Sequence, residues 1–173
     1  MKKRYLFILC LGALCLACTD KLDDAIAVVK EEGTATVMIS GDITDTLEYS
    51  CEFEYVIDAT SSSSSLDITM NNFTDPVTLL GVFLKDYNSA SGFVEGVDYY
   101  GTDDPNITAV FVTPDGHFNT DISDSLATRI VLEQITDTRI TGNFEFRLVK
   151  FNPPVQRINI VGNFTGIGKT QRK

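Results

Sequence analysis

Between Leu47 and Asp58 the residues alternate. Leu47, Tyr49, Cys51, Phe53, Tyr55 and Ile57 fall on one parity, and Glu48, Ser50, Glu52, Glu54 and Asp58 on the other. An extended chain repeats a face every second residue and a helix every 3.6, so this run separates oil from water only as a strand. One face must meet a core while the other meets solvent. A strand of that kind needs partners, and the rest of the chain supplies them.

Residues 35–40 make a first short strand, closed by a Gly41-Asp42 turn. Leu66, Ile68 and Met70 alternate again, and Val77 to Leu84 is a more continuous apolar run. Between them, Ser61 to Ser65 reads as a loop by composition. Asn88 to Pro105 is glycine-rich, with Phe93–Tyr100 either a weak strand or part of a long loop. Ile107 to Val112 is a strand, followed by the strong turn signal Pro114-Asp115-Gly116. Leu126, Thr128, Ile130 and Leu132 open the last set. Arg139 to Val149 alternates with Ile140, Phe144, Phe146 and Leu148 inward, Asn152-Pro153-Pro154 breaks it, and Val155 to Phe164 closes the domain. About eight strands in series, with no convincing internal helix, predict an all-β domain over residues 34–168. Its architecture is a single antiparallel β-sandwich or flattened barrel, and 169–173 is a basic C-terminal tail.

Ile140-Thr141-Gly142-Asn143-Phe144 is echoed by Ile160-Val161-Gly162-Asn163-Phe164, twenty residues later. Two copies do not make a solenoid. They read as neighbouring strands, each with a glycine where the sheet bends or bulges.

The beginning of the chain obeys other rules. Met1-Lys2-Lys3-Arg4 is basic, Leu6 to Leu16 carries no charge, and Ala17-Cys18 follows. Those are the parts of a secretory signal, and an eleven-residue apolar run is far short of the roughly 20 that span a bilayer. Cys15-Leu16-Ala17-Cys18 resembles the lipobox of bacterial lipoproteins, with Cys15 where leucine is usual. The resemblance implies a signal peptide over 1–17, cleavage before Cys18, and a diacylglycerol thioether on Cys18. Two or three acyl chains then hold the protein to the membrane, each buried methylene adding about 0.8 kcal/mol. Residues 18–33 form the lipidated tether, within which 25–32 is too short for a stable isolated helix. The acidic start Thr19-Asp20-Lys21-Leu22-Asp23-Asp24 resembles the signal that carries some Bacteroidota lipoproteins to the outer cell surface. An outer-membrane, outward-facing location is the expectation, with the periplasmic face as the alternative.

Of four cysteines, Cys10 and Cys15 leave with the signal and Cys18 takes the lipid, so Cys51 stands alone. It cannot form an internal disulfide, and its place in a strand pattern makes it a small buried hydrophobe. The net charge is −10, and −13 once Lys2, Lys3 and Arg4 are gone. From Cys18 to Asp124 there are 3 basic and 21 acidic residues, against 8 basic and 3 acidic from Ser125 onward. An acidic body speaks against nucleic acid and anionic lipid surfaces as partners, since both need cationic patches.

Motifs for chemistry are sparse. His117 follows a turn and has no adjacent nucleophile or second metal-binding nitrogen. Glu48, Glu52 and Glu54 share a strand face, where carboxylates serve solubility; as a pair they would be the requirement of a glycosidase. Asp103-Asp104-Pro105-Asn106 and Asn119 to Asp124 offer oxygen donors for calcium without the spacing of a known loop. No cofactor is expected. Asp45-Thr46-Leu47 and Asp124-Ser125-Leu126 resemble the three-residue O-glycosylation signal of Bacteroidota envelope proteins, which implies Thr46 and Ser125 as acceptors.

The run from Asp137 to Phe146, with Ile158-Asn159-Ile160 leading to Gly162-Asn163-Phe164, resembles a family of small Bacteroidota lipoproteins of the domain-of-unknown-function class. Its members end in an "ITGxFxF … INIxxGxF" hairpin. Asp67 to Phe73 and Gly96 to Gly101 are similar to further segments of that family, so the likeness covers residues 66 to 167. The family's tryptophan-bearing N-terminal strand has no counterpart here. The resemblance implies an all-β envelope lipoprotein with no catalytic residue to carry over. The expected function is a non-enzymatic surface binding or interaction module with a glycan or protein ligand. Its contact loop would carry Phe93, Tyr99 and Tyr100 as aromatic anchors. A barrel carrying a small apolar ligand and an envelope hydrolase are the competing readings.

Overall fold

The amphipathic run at 47–58 is the inner segment of a longer strand in the computed structural model, which describes residues 31–74, 76–101, 106–124 and 126–173. The signal peptide, Cys18 and nearly all of the tether lie outside the described residues. Ten strands follow in chain order: β1 (Thr34–Gly41), β2 (Asp45–Asp58), β3 (Ser63–Asn72), β4 (Thr78–Asp86), β5 (Asp98–Tyr100), β6 (Asn106–Thr113), β7 (Gly116–Thr120), β8 (Thr128–Ile135), β9 (Arg139–Lys150) and β10 (Gln156–Arg172). No helix occurs among the described residues. The all-β expectation holds, and the strands form one sheet closed into a flattened barrel.

Closure is achieved by two strands that each occupy part of the barrel's height. At the end carrying the β1–β2, β3–β4, β6–β7 and β9–β10 turns, β1 lies between β2 and β10 and is antiparallel to both. β1 begins at Thr34, which is opposite Ser50 of β2 and Thr165 of β10. Beyond that point β10 meets β2 directly and in parallel, from Ile167–Glu52 to Arg172–Ile57. A side chain at Gly33, where the three strands converge, would strike the Cys51 and Thr165 carbonyls. On the opposite wall β7 and β8 share one edge of β9. β7 pairs at Asn119–Val149 and Thr120–Leu148, and β8 takes over at Thr128–Phe146. Short β5 lines the free edge of β8, and the Gly101 carbonyl accepts the Ile107 amide of β6 at 3.3 Å. β1, β2, β3, β4, β6, β7, β9 and β10 thus form a closed eight-strand ring, and β8 with β5 extends the wall from β9 towards β6.

Four sequence expectations change. Ser63–Ser65 belong to β3, because Val56, Ile57 and Asp58 of the long β2 offer them ladder partners. Gly116–Thr120 is a strand although only Phe118 and Thr120 face inward. Leu126, expected inward, is exposed in the loop before β8. The basic tail is no tail: Lys169–Arg172 complete β10 against β2, and this pairing is the parallel exception in an otherwise antiparallel sheet.

Inside, Tyr49, Cys51, Phe53, Tyr55 and Ile57 are buried as the alternation requires, facing Leu66, Ile68, Met70, Leu80, Val82, Leu84, Phe111, Phe118, Phe144 and Phe146. The outward residues of the same strands include Glu52, Glu54, Asp67 and Lys85. A charged outer face is the reverse of what a lipid-facing barrel presents.

The repeated pentapeptides are adjacent, as expected, and their pairing explains the glycines. Asn143 pairs with Asn163, so Gly142 falls opposite Phe164 and Gly162 opposite Phe144. Each glycine leaves the space that the other copy's ring fills. A Cβ at Gly142 would lie 2.9 Å from the Phe164 ring and closer still to the Val131 carbonyl. Glu133 of β8 is also an extra residue at this level, between Leu132–Gly142 and Gln134–Thr141. Gly142→Ala should cost about 2 kcal/mol or more in urea unfolding, as overpacking does. Gly166→Ala, whose nearest new contacts are ordinary ones at 3.4 and 3.5 Å, should stay within about 1 kcal/mol of the parent. Equal costs for the two would contradict this reading of the echo.

Candidate functional site

Both the interior and the upper mouth of the barrel are occupied. Loop 87–97 folds over the end that carries the β2–β3 and β8–β9 turns. The Tyr55 hydroxyl reaches up from β2 and accepts the Phe93 amide at 2.5 Å. Phe93 is buried against Tyr55 (ring centroids 5.8 Å) and edge-on to Tyr99 (5.4 Å). Gly92 makes that approach possible: it has φ +88°, and a side chain there would collide with the Tyr55 oxygen. The Tyr99 hydroxyl in turn accepts the Val94 amide at 2.7 Å. Of the three aromatic anchors expected on a contact loop, Phe93 is a buried plug, Tyr99 is half-buried, and only Tyr100 is exposed. A shallow hollow of about 220 Å³ remains beside the plug, rimmed by Glu95, Thr136 and Asp137 with Arg172. Arg172 pairs with Asp137 at 2.8 Å across its edge.

Elsewhere polar groups seal the core. Tyr49 and Thr78 share a buried hydroxyl–hydroxyl bond of 2.9 Å. The Thr120 hydroxyl accepts the Ala109 amide at 2.8 Å, patching the ladder where β7 ends. Burial pushes the Tyr49 and Tyr55 hydroxyls above the ordinary phenol range. It pushes the Cys51 thiol up to about 12, which makes Cys51 a hydrophobe, since the thiolate is the reactive form.

The larger depression, about 420 Å³, is on the side wall where β7 hands over to β8. The 121–127 loop leaves the sheet there and is pinched at its neck onto one residue. The Arg147 carbonyl accepts the Asp121 amide at 3.1 Å, and the Arg147 amide donates to the Ala127 carbonyl at 2.7 Å. Aspartates cap the loop's turns. Asp121 Oδ1 accepts from Ser123 N (3.1 Å) and Asp124 Oδ1 from Leu126 N (2.9 Å), with Asp124 N donating to the Asp121 carbonyl at 3.0 Å. Such side-chain-to-backbone bonds are why aspartate favours turns. The Arg147 guanidinium then donates to Asp124 Oδ2 at 2.6 Å. The Leu126 amide and Arg147 together hold the Asp124 carboxyl below the usual carboxylate range. Across the cleft Arg157 stands 3.8 Å from Asp121 Oδ2, and Ser40, Gly41 and Asn159 complete the wall.

The remaining sequence candidates are dispersed. Cys18 and Ser125 lie outside the described residues, as do 103–105 of the first oxygen-rich loop. Thr46 is exposed on β2, its amide donating to Asp45 Oδ1 at 2.8 Å. His117 is exposed and opposite Val112. Glu48 accepts from the Thr36 hydroxyl at 3.0 Å and Glu54 from Gln171 at 2.8 Å, both on the outer wall. Asp67, directly opposite Glu54, is raised above the carboxylate range by partial burial and then by that neighbour's charge. No group of three or more metal-binding side chains comes together among the described residues. Arg147 and Arg157 were not among the sequence candidates. The echo carried the signal: pairing Asn143 with Asn163 places Arg147 opposite Asn159, two residues from Arg157.

Comparison with protein families, curated proteins and solved structures yields no match for this chain.

The sealed barrel makes a direct prediction for its thiol. Cys51 in the folded chain should resist iodoacetamide for hours at neutral pH and react fully once denaturant opens the core, as read by mass spectrometry of the Cys51 peptide. Prompt labelling without denaturant would show that the barrel is open.

Proposed function

We propose that this chain is a lipid-anchored envelope lipoprotein of the kind its C-terminal hairpin resembles. Its β domain is a non-enzymatic binding module that makes contact through the outer wall. The observation that carries the reading is the distribution of space. The interior is filled by side chains such as Tyr55, Phe111, Phe144 and Phe146, and the upper mouth is plugged by Phe93. The roomier of the two hollows described above faces outward and is lined by two arginines, two aspartates, an asparagine and a serine. A carrier of apolar ligands requires an interior wider than its side chains fill, which makes it the weaker reading. The groups that line the cleft are one close ion pair, Arg147–Asp124 at 2.6 Å, a looser Arg157–Asp121 contact at 3.8 Å, and turn caps, a recognition surface without a nucleophile–base couple.

Lipidation at Cys18 and outward display on the tether belong to the same proposal. They rest on the lipobox-like quartet and on the acidic residues that follow it. Protease shaving of intact cells, with mass spectrometry of the N-terminal peptide, tests both. The expected result is a diacylated Cys18 peptide with the β domain released from whole cells, and loss of membrane attachment in Cys18→Ala. Shaving only after cell breakage would place the domain on the periplasmic side. An unlipidated N-terminus cut elsewhere would overturn the anchor.

A further inference from the structure

We infer that the side-wall cleft is an oxyanion site, taking a carboxylate, sulfate or phosphate group between the guanidinium groups of Arg147 and Arg157. The inference deepens the binding-module reading by naming its ligand class.

Each carboxylate oxygen of Asp121 and Asp124 already has a partner. Asp121 Oδ1 takes the Ser123 amide and hydroxyl, Asp124 Oδ1 takes the Leu126 amide, and the two Oδ2 atoms face Arg157 and Arg147. The aspartates are spent on shaping the loop and steadying the arginines. What the cleft has left to offer is guanidinium N–H. A guanidinium carries five donors. Arg147 commits Nη1 to Asp124, and Arg157 sits at 3.8 Å from Asp121, beyond hydrogen-bond reach. Their side chains remain 52% and 69% exposed. Two forked donors on adjacent strands, lining one outward hollow, match the planar or tetrahedral oxygens of an anion.

A second observation stands apart from the arginines. Asn159 Oδ1, in the wall of the same cleft, is buried and has no hydrogen-bond partner among the described residues. A buried acceptor without a donor is costly. This atom accepts and does not donate, so a ligand that carries a hydroxyl beside its charged group, as a sugar acid does, suits this wall better than a bare anion once the Asn159 side chain turns towards the cleft. The setting adds selectivity. The chain is strongly acidic up to Asp124, and the arginines lie on the basic C-terminal strands. The cleft lining itself balances two arginines against two aspartates, so an anion meets less repulsion here than over the acidic body.

The test uses the full chain carrying Cys18→Ala, nitrogen-15 labelled and free of detergent, titrated with sodium glucuronate, with inorganic sulfate, and with phosphatidylglycerol vesicles. Saturable shifts are expected at the Arg147 and Arg157 Nε–H groups, at Asn159 and at residues 121–124. Arg129 and Arg172, paired with Asp98 and Asp137, serve as internal controls and should stay still. Arg147→Gln with Arg157→Gln should weaken binding by about tenfold or more. Asp124→Asn separates recognition from loop structure: it frees Arg147 and should tighten binding severalfold, whereas a merely structural pair would loosen the site and weaken it. Saturation by glucuronate or sulfate identifies a soluble oxyanion. Saturation by vesicles alone identifies a lipid phosphate. Shifts that do not saturate, or that appear equally at Arg129 and Arg172, overturn the inference, as does weaker binding in Asp124→Asn. Cys18 lipidation has no part in this readout, so failure here leaves the anchor standing and failure of the anchor leaves the cleft standing.

Discussion

The barrel depends on how β1 satisfies both of its neighbours. A sheet that does not close leaves two rows of unpaired amides and carbonyls, which invite other chains to pair. Here β2 and β10 diverge at one end, and β1 fills the gap with ladders on both sides. Where β1 starts, β10 bends in and finishes the closure itself, in parallel with β2. One long strand thus serves three partners: β9 along Gln156–Ile167, β1 along its first half and β2 along its last residues. The crowding at Gly33, with backbone on every side, is the geometric signature of that junction.

Closure decides where function can sit. Large rings from facing strands fill the ring's interior, and the glycine–phenylalanine exchanges between β9 and β10 let those rings approach the sheet itself. The open end is stopped by Phe93 on the Tyr55 hydroxyl. With the inside committed to packing, the recognition proposed for this chain falls to the wall. Among the described residues the wall is interrupted at the handover from β7 to β8. The loop that bridges this interruption is pinned at both ends to Arg147, and the same residue's guanidinium faces the cleft the loop creates. Ladder repair and site construction thus share one residue.

Much of the fold was legible because alternation survives wherever a strand has one dry face: Tyr49 to Ile57 and Ile140 to Leu148 are inward as read. The misses have physical causes. Ser63–Ser65 carry loop-forming side chains, yet an extended β2 opposite them holds them in the ladder. Lys169–Arg172 follow Gly166 and Gly168 and point charges to water, and their partner is distant in sequence and parallel, which no local pattern encodes. β7 is five residues long and buries two. Phe93 reads as an exposed loop aromatic until Gly92's backbone turns it inward. The cleft was half legible: the acidic residues at 121–124 stood out, and the arginines facing them required the register that the two pentapeptides imply.

Native-state hydrogen exchange on β1 tests the account most directly. If β1 is an integral stave, the amides of Val37 and Ile39 should open only with the whole domain, within about 1 kcal/mol of those of Phe144 and Phe146 on β9. Exchange of β1 through a separate opening, several kcal/mol easier than that of β9, would contradict it: the barrel would then stand without its closing strand, and the filled interior would no longer follow from the ring.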